Sequence, residues 1–178
     1  MDNNAIIFRM TKCKSFKPEI TTCSKVLILG SMPGVKSLEE AQYYAHPRNR
    51  FWKVTGFLCN VSNIADLPYR KRVQILLDNE FALWDVIGRC ERQGSLDSAI
   101  TKEVPNDIEG LLKKYSAIKI ICLNGGKAQS AFKKHFPEIF SCGKYKIYNL
   151  PSTSPANARF KLEDLIREWE EIIKNAYV

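Results

Sequence analysis

Four short apolar runs, each closed by turn-forming residues, are spaced along the chain. A brief apolar run bounded by Gly, Asn or Pro is typical of a strand buried on both faces of a sheet. We therefore predict strands at 25–30 (KVLILG), 81–87 (FALWDVI), 117–126 (AIKIICLNGG) and 144–150 (KYKIYNL).

Between and after these runs, apolar residues recur at helical spacing, which predicts helices at 49–58, 67–79, 106–115, 126–136 and 159–177. Asn49 and Asn106 precede such segments as candidate caps, and an acidic first turn follows Asn106. The charged stretch that follows the second strand, with Arg89 and Arg92, is predicted to be a loop. Residues 1–24 are mixed and basic and are expected to cover one end of the domain.

Strands that alternate with helices imply βαβ units, and hence an α/β fold with a parallel sheet and helices on both faces. In such folds ligands bind where the carboxyl ends of the strands meet the loops. The loops after the first, second and fourth predicted strands are rich in polar residues, Gly and Pro. We therefore expect all three loops to open on one face, where a ligand would bind.

Size and charge narrow the classes of function. A chain of 178 residues fits a single domain, 1–178. The 27 basic and 19 acidic residues give a net charge of +8, which favours an anionic polymer as partner but is a weak signal alone. The sequence has neither an apolar run of membrane-spanning length nor a signal-peptide pattern, so we expect a cytoplasmic protein without a membrane partner.

Cysteine spacing argues against a metal cofactor. The six cysteines, at 13, 23, 59, 90, 122 and 142, form no C-x-x-C pair, and the chain has only two histidines. Structural zinc and iron–sulfur sites usually need close ligand pairs. Reduced, mostly buried thiols in a cytosolic protein are the expected state, and we predict neither metal nor cofactor.

The loop after the first strand begins GSMPG and continues to YYAHPRN. Backbone N–H groups beside a Gly-Pro turn can converge on one acceptor, although the same letters fit a plain strand-to-helix turn. The adjacent Tyr43 and Tyr44 cannot both face the core of an extended segment. One ring is therefore a candidate for stacking on a planar base, and a tyrosine pair packed at a domain edge is the alternative.

Two further polar residues have two interpretations each. Asn49 is either the cap of the following helix or a carboxamide that contacts a base or orients a water molecule. Asp85, near the end of the second strand, either accepts an N–H from a ligand or pairs with Arg89, because buried aspartates rarely lack a partner.

The LPSTSPAN segment offers hydroxyls and an amide between prolines, at positions 150–157. Hydroxyls and backbone N–H groups make sequence-independent contacts with phosphates, and a loop stiffened by proline can press on a duplex. The alternative is a Ser/Pro turn in which Asn157 caps the last helix.

Taken in order, these motifs resemble a known family. GSMPG…SL…YYAHPRNRFW, LWDVI…C.R.GSLDSAI, LNGGKA and LPSTSPANA resemble the hypoxanthine-DNA (deoxyinosine) glycosylase branch of the uracil-DNA glycosylase superfamily. The likeness runs from about Ser15 to the C-terminal helix. It implies a single three-layer αβα domain around a four-stranded, mostly parallel sheet.

The resemblance also implies roles for individual residues. The stretch YAHPRNRFW is similar to FAHPxNRFW of mismatch-specific uracil-DNA glycosylases, which maps base stacking to Tyr44. Those enzymes carry asparagine in the turn where this chain has Met32. In the hypoxanthine-specific branch the asparagine of HPRN carries catalysis, and the resemblance maps this role to Asn49. The histidine of a later HPS motif in several relatives is replaced by Leu150. Base contact is assigned to Gly30, Ser31, Met32, Tyr44, Phe51 and Asp85, and DNA contact to His46, Arg48, Ser152, Thr153, Ser154 and Asn157.

The implied activity is hydrolysis of the bond between a deaminated base, hypoxanthine first, and its sugar, after the base has been flipped out of single- or double-stranded DNA. We expect a monomer that acts without a cofactor in the nucleoid and leaves an abasic site. The rival hypotheses are a uracil or mismatch glycosylase, a damaged-DNA binder without catalytic activity, and an α/β protein that binds free nucleotides.

Overall fold

The computed structural model describes the backbone of residues 11–176 and the side chains of residues 11–172. Its strands are β1 (Thr11–Lys14), β2 (Val26–Gly30), β3 (Phe81–Asp85), β4 (Ile87–Arg92), β5 (Thr101–Pro105), β6 (Ile120–Asn124) and β7 (Lys146–Leu150). Its helices are α1 (Val35–Glu40), α2 (Phe51–Leu58), α3 (Tyr69–Asp78), α4 (Ile108–Lys114), α5 (Gly126–His135), α6 (Pro137–Ser141) and α7 (Leu162–Ala176). Tyr177, the predicted end of the last helix, and residues 1–10 lie outside the described part.

The main sheet contains the four predicted strands, all parallel, in the order β3-β2-β6-β7. Its central strands β2 and β6 are buried at every position, as expected for strands covered on both faces. From β2 the chain continues to β3 on one side of the sheet, and from β6 it continues to β7 on the other side. The topological switch point, where α/β proteins bind ligands, therefore lies between the carboxyl ends of β2 and β6.

Two apolar cores, one on each face of the sheet, make three layers. Alternate residues of β2 point to opposite faces: Leu27 and Leu29 pack with α4 and α5, and Val26 and Ile28 pack with α2, α3 and α7. The predicted α/β class, parallel sheet and helices on both faces are confirmed.

The predicted charged loop after the second strand is wrong. Residues 87–92 form β4, which pairs with β1 and β5 in a separate antiparallel sheet. Arg92, expected in solvent, is only 1% exposed. The predicted strand at 81–87 breaks at Val86, where the chain passes from the parallel sheet to the antiparallel one.

Two predicted caps also have other roles. Helix α4 is capped by Asp107, whose Oδ1 accepts the N–H of Gly110, and Asn106 donates instead to the carbonyl of Asp85. Helix α7 begins only at Leu162, so Asn157 does not cap it. Helices α1 and α6 were not predicted.

Three further features bear on the class of protein. All six thiols are free, and Cys13, Cys59, Cys90 and Cys122 are buried. Within the described residues, no three His, Cys, Asp or Glu side chains are grouped so that they could hold a metal ion. No helix in that part of the chain is both long and apolar enough to cross a membrane.

Candidate base-binding cavity

A cavity of about 510 Å³ opens at the switch point of the parallel sheet. Its walls come from the loops after β2, β4 and β7, with Asp85 and Asn124 at the ends of β3 and β6. The predicted convergence on one face is confirmed for the loops after the first and fourth predicted strands; the third wall comes from residues 95–98, which follow β4 and not the second predicted strand directly. The volume lies in the range typical of small-ligand sites.

Gly30 ends β2 at the floor of this cavity. A Cβ atom at this position would lie 2.7 Å from Asp85 Oδ1 and 3.2 Å from the Tyr44 hydroxyl. Only glycine therefore lets the carboxylate and the phenol approach the strand end from two sides.

Asp85 is buried and pairs with a hydroxyl, not with Arg89. Ser15 Oγ donates to its Oδ2 at 2.7 Å, and Arg89 is exposed. Burial raises the pKa of Asp85 to about 7; the Ser15 hydrogen bond opposes this shift, and the negative charge of Asp97 adds to it. The ligand-acceptor interpretation therefore fits the geometry better than the salt bridge, since Oδ1 has no hydrogen-bond donor among the described residues.

Both tyrosines border the cavity, but only Tyr43 is also a buried core residue. Tyr43 is buried, and its carbonyl accepts from Trp52 Nε1 at 3.2 Å. Tyr44 lines the cavity and adopts a left-handed backbone with φ of 55°, which is uncommon for an aromatic residue and concentrates at functional sites. Burial raises the pKa of Tyr44, so its phenol stays protonated.

The ring of Tyr44 is clamped in place. One face stacks on Phe51, with ring centroids 3.7 Å apart and an interplanar angle of 13°, and Asn124 Nδ2 donates to its hydroxyl at 3.2 Å. Phe51, predicted to contact the base, is fully buried and does not line the cavity. It holds Tyr44 from behind.

Asn49 borders the cavity and also serves the following helix. Its Oδ1 accepts the N–H of Phe51, the first residue of α2, at 3.0 Å. Its side-chain nitrogen has no acceptor among the described residues. The N-cap of α2 is Arg50, one residue later than predicted, but the Asn49 oxygen still binds the first N–H of the helix. The two uses of the side chain are compatible, because its N–H₂ group remains free to donate.

The GSMPG turn is braced from two sides. Ser31 Oγ donates to Asp97 Oδ1 at 2.7 Å, and the buried Arg92 donates from Nη2 to the carbonyl of Pro33 at 2.5 Å. The side chain of Met32 packs into the core. In the part of the chain that the structure describes, the backbone N–H groups of Ser31 and Met32 have no acceptor, so they are available to a ligand.

The loop at 151–157 is held internally at two of its predicted DNA-contact residues. Thr153 is fully buried, and both its N–H and its hydroxyl bond to Asn124. Asn157 Nδ2 donates to the carbonyl of Ser152 at 2.9 Å. Thr153 and Asn157 therefore shape the loop, although both also border the cavity, as do Ser152 and Ser154.

The remaining predicted DNA contacts differ in placement. His46 lines the cavity, whereas Arg48 is exposed and outside it. Arg50, which sequence reasoning missed, anchors the loop: its guanidinium donates to the carbonyls of Ser154 (2.6 Å), Asn157 (2.9 Å) and Phe160.

Sequence reasoning also missed Asn124 and Asp97. Asn124 ends a predicted strand in LNGG, and a polar residue at that place is the signal that would have found it. Asp97 carries no comparable signal, because its position beside Ser31 depends on the antiparallel sheet.

Comparisons with known proteins place this geometry in a family. Residues 18–174 match the family model described as the uracil DNA glycosylase superfamily. Proteins named hypoxanthine DNA glycosylase are similar in sequence: that of Methanosarcina acetivorans is 35% identical over 91% of this chain and 98% of its own length. That of Methanosarcina barkeri is 32% identical over 92% of this chain and 99% of its own length.

A solved structure is similar over the same range. It is the solution NMR structure of a Methanosarcina acetivorans protein whose name, uracil DNA glycosylase, is provisional. The two structures have a TM-score of 0.79 and a sequence identity of 34%, and the match covers 94% of this chain and 100% of that chain. The family match, the relatives and the shared fold agree, and the chain belongs to the uracil DNA glycosylase superfamily.

Proposed function

We propose that the protein is a DNA repair glycosylase that removes deaminated bases, hypoxanthine first, by hydrolysing the N-glycosidic bond. The observation that carries the proposal is the cavity that brings together Tyr44, Asn49 and Asp85. It offers a clamped aromatic ring, a free amide donor and a buried carboxylate to one bound base. The family and the names of the similar proteins support it.

Recognition of the base rests on hydrogen bonds to its edge. Hypoxanthine carries N1–H, which the free Oδ1 of Asp85 can accept, and adenine has no donor at that position. The backbone N–H groups of Ser31 and Met32 supply donors for acceptors on the base. Tyr44 stacks on the ring, at about 1–3 kcal/mol for such a contact.

The chemistry begins when the base has left the stack, which costs a few kcal/mol. Water attacks C1′ of the sugar, the bond from C1′ to the base breaks, and the departing base retains the electron pair. The proton that the water loses passes to solvent, and the base takes one up, so that the products are an abasic sugar with a hydroxyl at C1′ and the free base. Fixed donors aimed at that developing negative charge are the strongest catalytic contribution available. Asn49 supplies such a donor through Nδ2, because its Oδ1 is occupied by the helix.

The partner is DNA, in double- or single-stranded form, and its place of action is the nucleoid. The protein acts as a monomer, since one chain supplies every residue of the cavity. The net charge of +8 provides affinity for phosphates that does not depend on sequence.

A cleavage assay tests this function. The protein is incubated with a duplex that holds one deoxyinosine, and alkali then breaks the strand wherever an abasic site has formed. We expect cleavage at the deoxyinosine and none in a duplex with adenine there. An intact strand with every substrate, uracil mismatches included, would refute the proposal; binding without cleavage would instead indicate a damaged-DNA binder.

Uracil is the second candidate substrate. It presents N3–H where hypoxanthine presents N1–H, so Oδ1 of Asp85 can accept from either base. The same assay with deoxyuridine opposite guanine and opposite adenine ranks the two bases by their rates of release.

A further inference from the structure

We infer that Arg92 is a positioning residue for release of the base: it fixes the GSMPG turn and places a positive charge behind that turn. This inference rests on the proposed function. Arg92 ends β4 and is only 1% exposed. Among the described residues, its Nε and Nη1 have no hydrogen-bond acceptor, and it forms no ion pair. A buried charge without close partners is costly, which indicates a role beyond folding.

The first part of the role is geometric, since three carbonyls of the turn are tied to β4 or to the residue before it. The bonds run from the N–H of Val86 to Gly30 (2.9 Å), from the N–H of Ile87 to Ser31 (3.0 Å) and from Arg92 Nη2 to Pro33 (2.5 Å). In a trans peptide the carbonyl and the following N–H point in opposite directions. The N–H groups of Ser31 and Met32 therefore point away from β4, and both residues line the cavity.

The second part of the role is electrostatic. Asp85 and Asp97 both line the cavity, and the departing base develops negative charge in the same space. Burial raises the pKa of both carboxyls, and the charge of Arg92 opposes that shift in each of them. Arg92 is therefore the cation that the two carboxylates share. Its charge also offsets the repulsion between them and the departing base.

The other titratable groups that face this cluster are uncharged or paired. Three of them stay uncharged near neutral pH because burial raises their pKa: Tyr43, Tyr44 and Cys90. Lys127 acts on Asp97 from α5, but it is ion-paired with Glu103 at 2.5 Å. All of these groups remain in place in the variants below, as do Lys36 and His46 of the cavity wall.

The test removes one charge at a time. We expect the pH midpoint of kcat/KM on a deoxyinosine duplex to rise by about one unit in Arg92→Met, because the Asp85 carboxylate loses a stabilising cation. In Asp97→Asn the midpoint should fall by about one unit, because a repelling carboxylate is gone. The double variant should return close to the unmodified protein. At pH 9, kcat of Arg92→Met should still be about tenfold lower, since the departing base lacks the cation.

A titration of the Asp85 carboxyl by ¹³C NMR, assigned by its loss in Asp85→Asn, measures the same shifts without DNA. Arg89→Met is the matched control: it makes the same chemical change at an exposed position of β4 and should move neither midpoint.

Unmoved midpoints in Asp97→Asn, or a loss in Arg92→Met that is equal at every pH, would overturn the inference and leave Arg92 a structural residue. Asp97→Asn decides the matter alone where Arg92→Met does not fold. Shifted NMR midpoints in a protein that releases no base would refute the proposed function instead.

Discussion

We expect Asn49 to serve both folding and chemistry. Its oxygen accepts the N–H of Phe51 at the start of α2, and its nitrogen is left for the ligand. The two tasks use different atoms, so substitutions can separate them.

Asn49→Asp keeps the capping oxygen and removes the amide donor. We expect a thermal midpoint close to that of the unmodified protein, because aspartate caps helices as well as asparagine does. We expect kcat on deoxyinosine DNA to fall about 10²–10³-fold, the usual effect of losing one fixed donor. Single-turnover kinetics and thermal unfolding measure the two quantities.

Asn49→Ala provides the comparison. It removes both atoms and should lose the same activity together with about 1 kcal/mol of stability. Full activity in Asn49→Asp would contradict the donor role and leave Asn49 as a cap.

Asp85 makes recognition of the base depend on pH. Its pKa of about 7 means that the accepting carboxylate is lost as pH falls through neutrality. We expect kcat/KM for deoxyinosine to fall about tenfold per pH unit below pH 6, since this ratio reports ionisation of the free enzyme. A series of initial rates from pH 5 to pH 9 measures it.

Asp85→Asn should abolish this fall of kcat/KM at low pH. Its amide can also donate to N1 of adenine, so selectivity for hypoxanthine over adenine should fall about tenfold or more, roughly the discrimination of one good hydrogen-bonded pair. An unchanged pH profile in Asp85→Asn would show that another group titrates.

Stability supplies an independent check on the same carboxyl. Its pKa is about 7 in the folded protein and about 3.9 in an unfolded chain. The folded state therefore binds more protons between these values, and stability falls as pH rises through this window. Asp85→Asn should raise the thermal midpoint more at pH 8 than at pH 4.

Arg50 links two structural elements, the start of helix α2 and the loop at 151–157. Its guanidinium donates to four carbonyls of that loop and its continuation, those of Thr153, Ser154, Asn157 and Phe160. Lysine keeps the charge but cannot form this planar set of bonds. Arg50→Lys should therefore loosen the loop without changing Tyr44, Asn49 or Asp85.

We expect Arg50→Lys to lower stability by about 2–3 kcal/mol, the value of lost charged hydrogen bonds. KM for duplex DNA should rise several-fold with a smaller effect on kcat, because we expect the loop to bind phosphates. Arg167→Lys is the control, since Arg167 is exposed and outside the cavity and should change neither. A loss of kcat larger than the change in KM would contradict this prediction and would indicate that Arg50 affects the catalytic step.

The parallel sheet was predictable from sequence because its buried strands are short continuous apolar runs. Strand β4 was not, since IGRCER mixes exposed Arg89 with a buried Arg92 and so hides the alternation. The cavity loops were predictable from their place after strands. The positions of Asp97, Asn124 and Arg50 were not, because they depend on contacts between residues 60 to 110 positions apart.

At the scale of the molecule, a second depression lies beside the cavity. This groove of about 480 Å³ runs along the outer side of β3, between residues 14–18 and 104–107, with Trp84, Gly88 and Arg89. Ser15 lines it and also bonds to Asp85, so one layer of side chains separates groove and cavity. Any DNA strand that reaches the cavity passes close to it.

The cations of this groove lack acidic partners. Lys14 and Arg89 stand opposite each other in the β1–β4 register, an arrangement of like charges that destabilises a sheet. Among residues 11–172, no carboxylate forms an ion pair with Lys14, Lys17 or Arg89. An arriving phosphate would relieve the repulsion, and we therefore expect the groove to contact the DNA backbone.

Replacing these three cations by glutamine should weaken DNA binding in a salt-dependent way. Each phosphate contact contributes about 0.9 to the slope of log K against log salt, so the slope should fall by about 2–3 while the thermal midpoint is unchanged or higher. The control carries the same charge change on the side of the sheet where β6 and β7 begin: Lys113, Lys119 and Lys144, exposed residues that precede β6 or β7. Its slope should stay near that of the unmodified protein, because salt screens charges that lie farther than about 10 Å from the DNA. Equal slopes in the two triple variants would mean that net charge alone, and not the groove, sets the affinity.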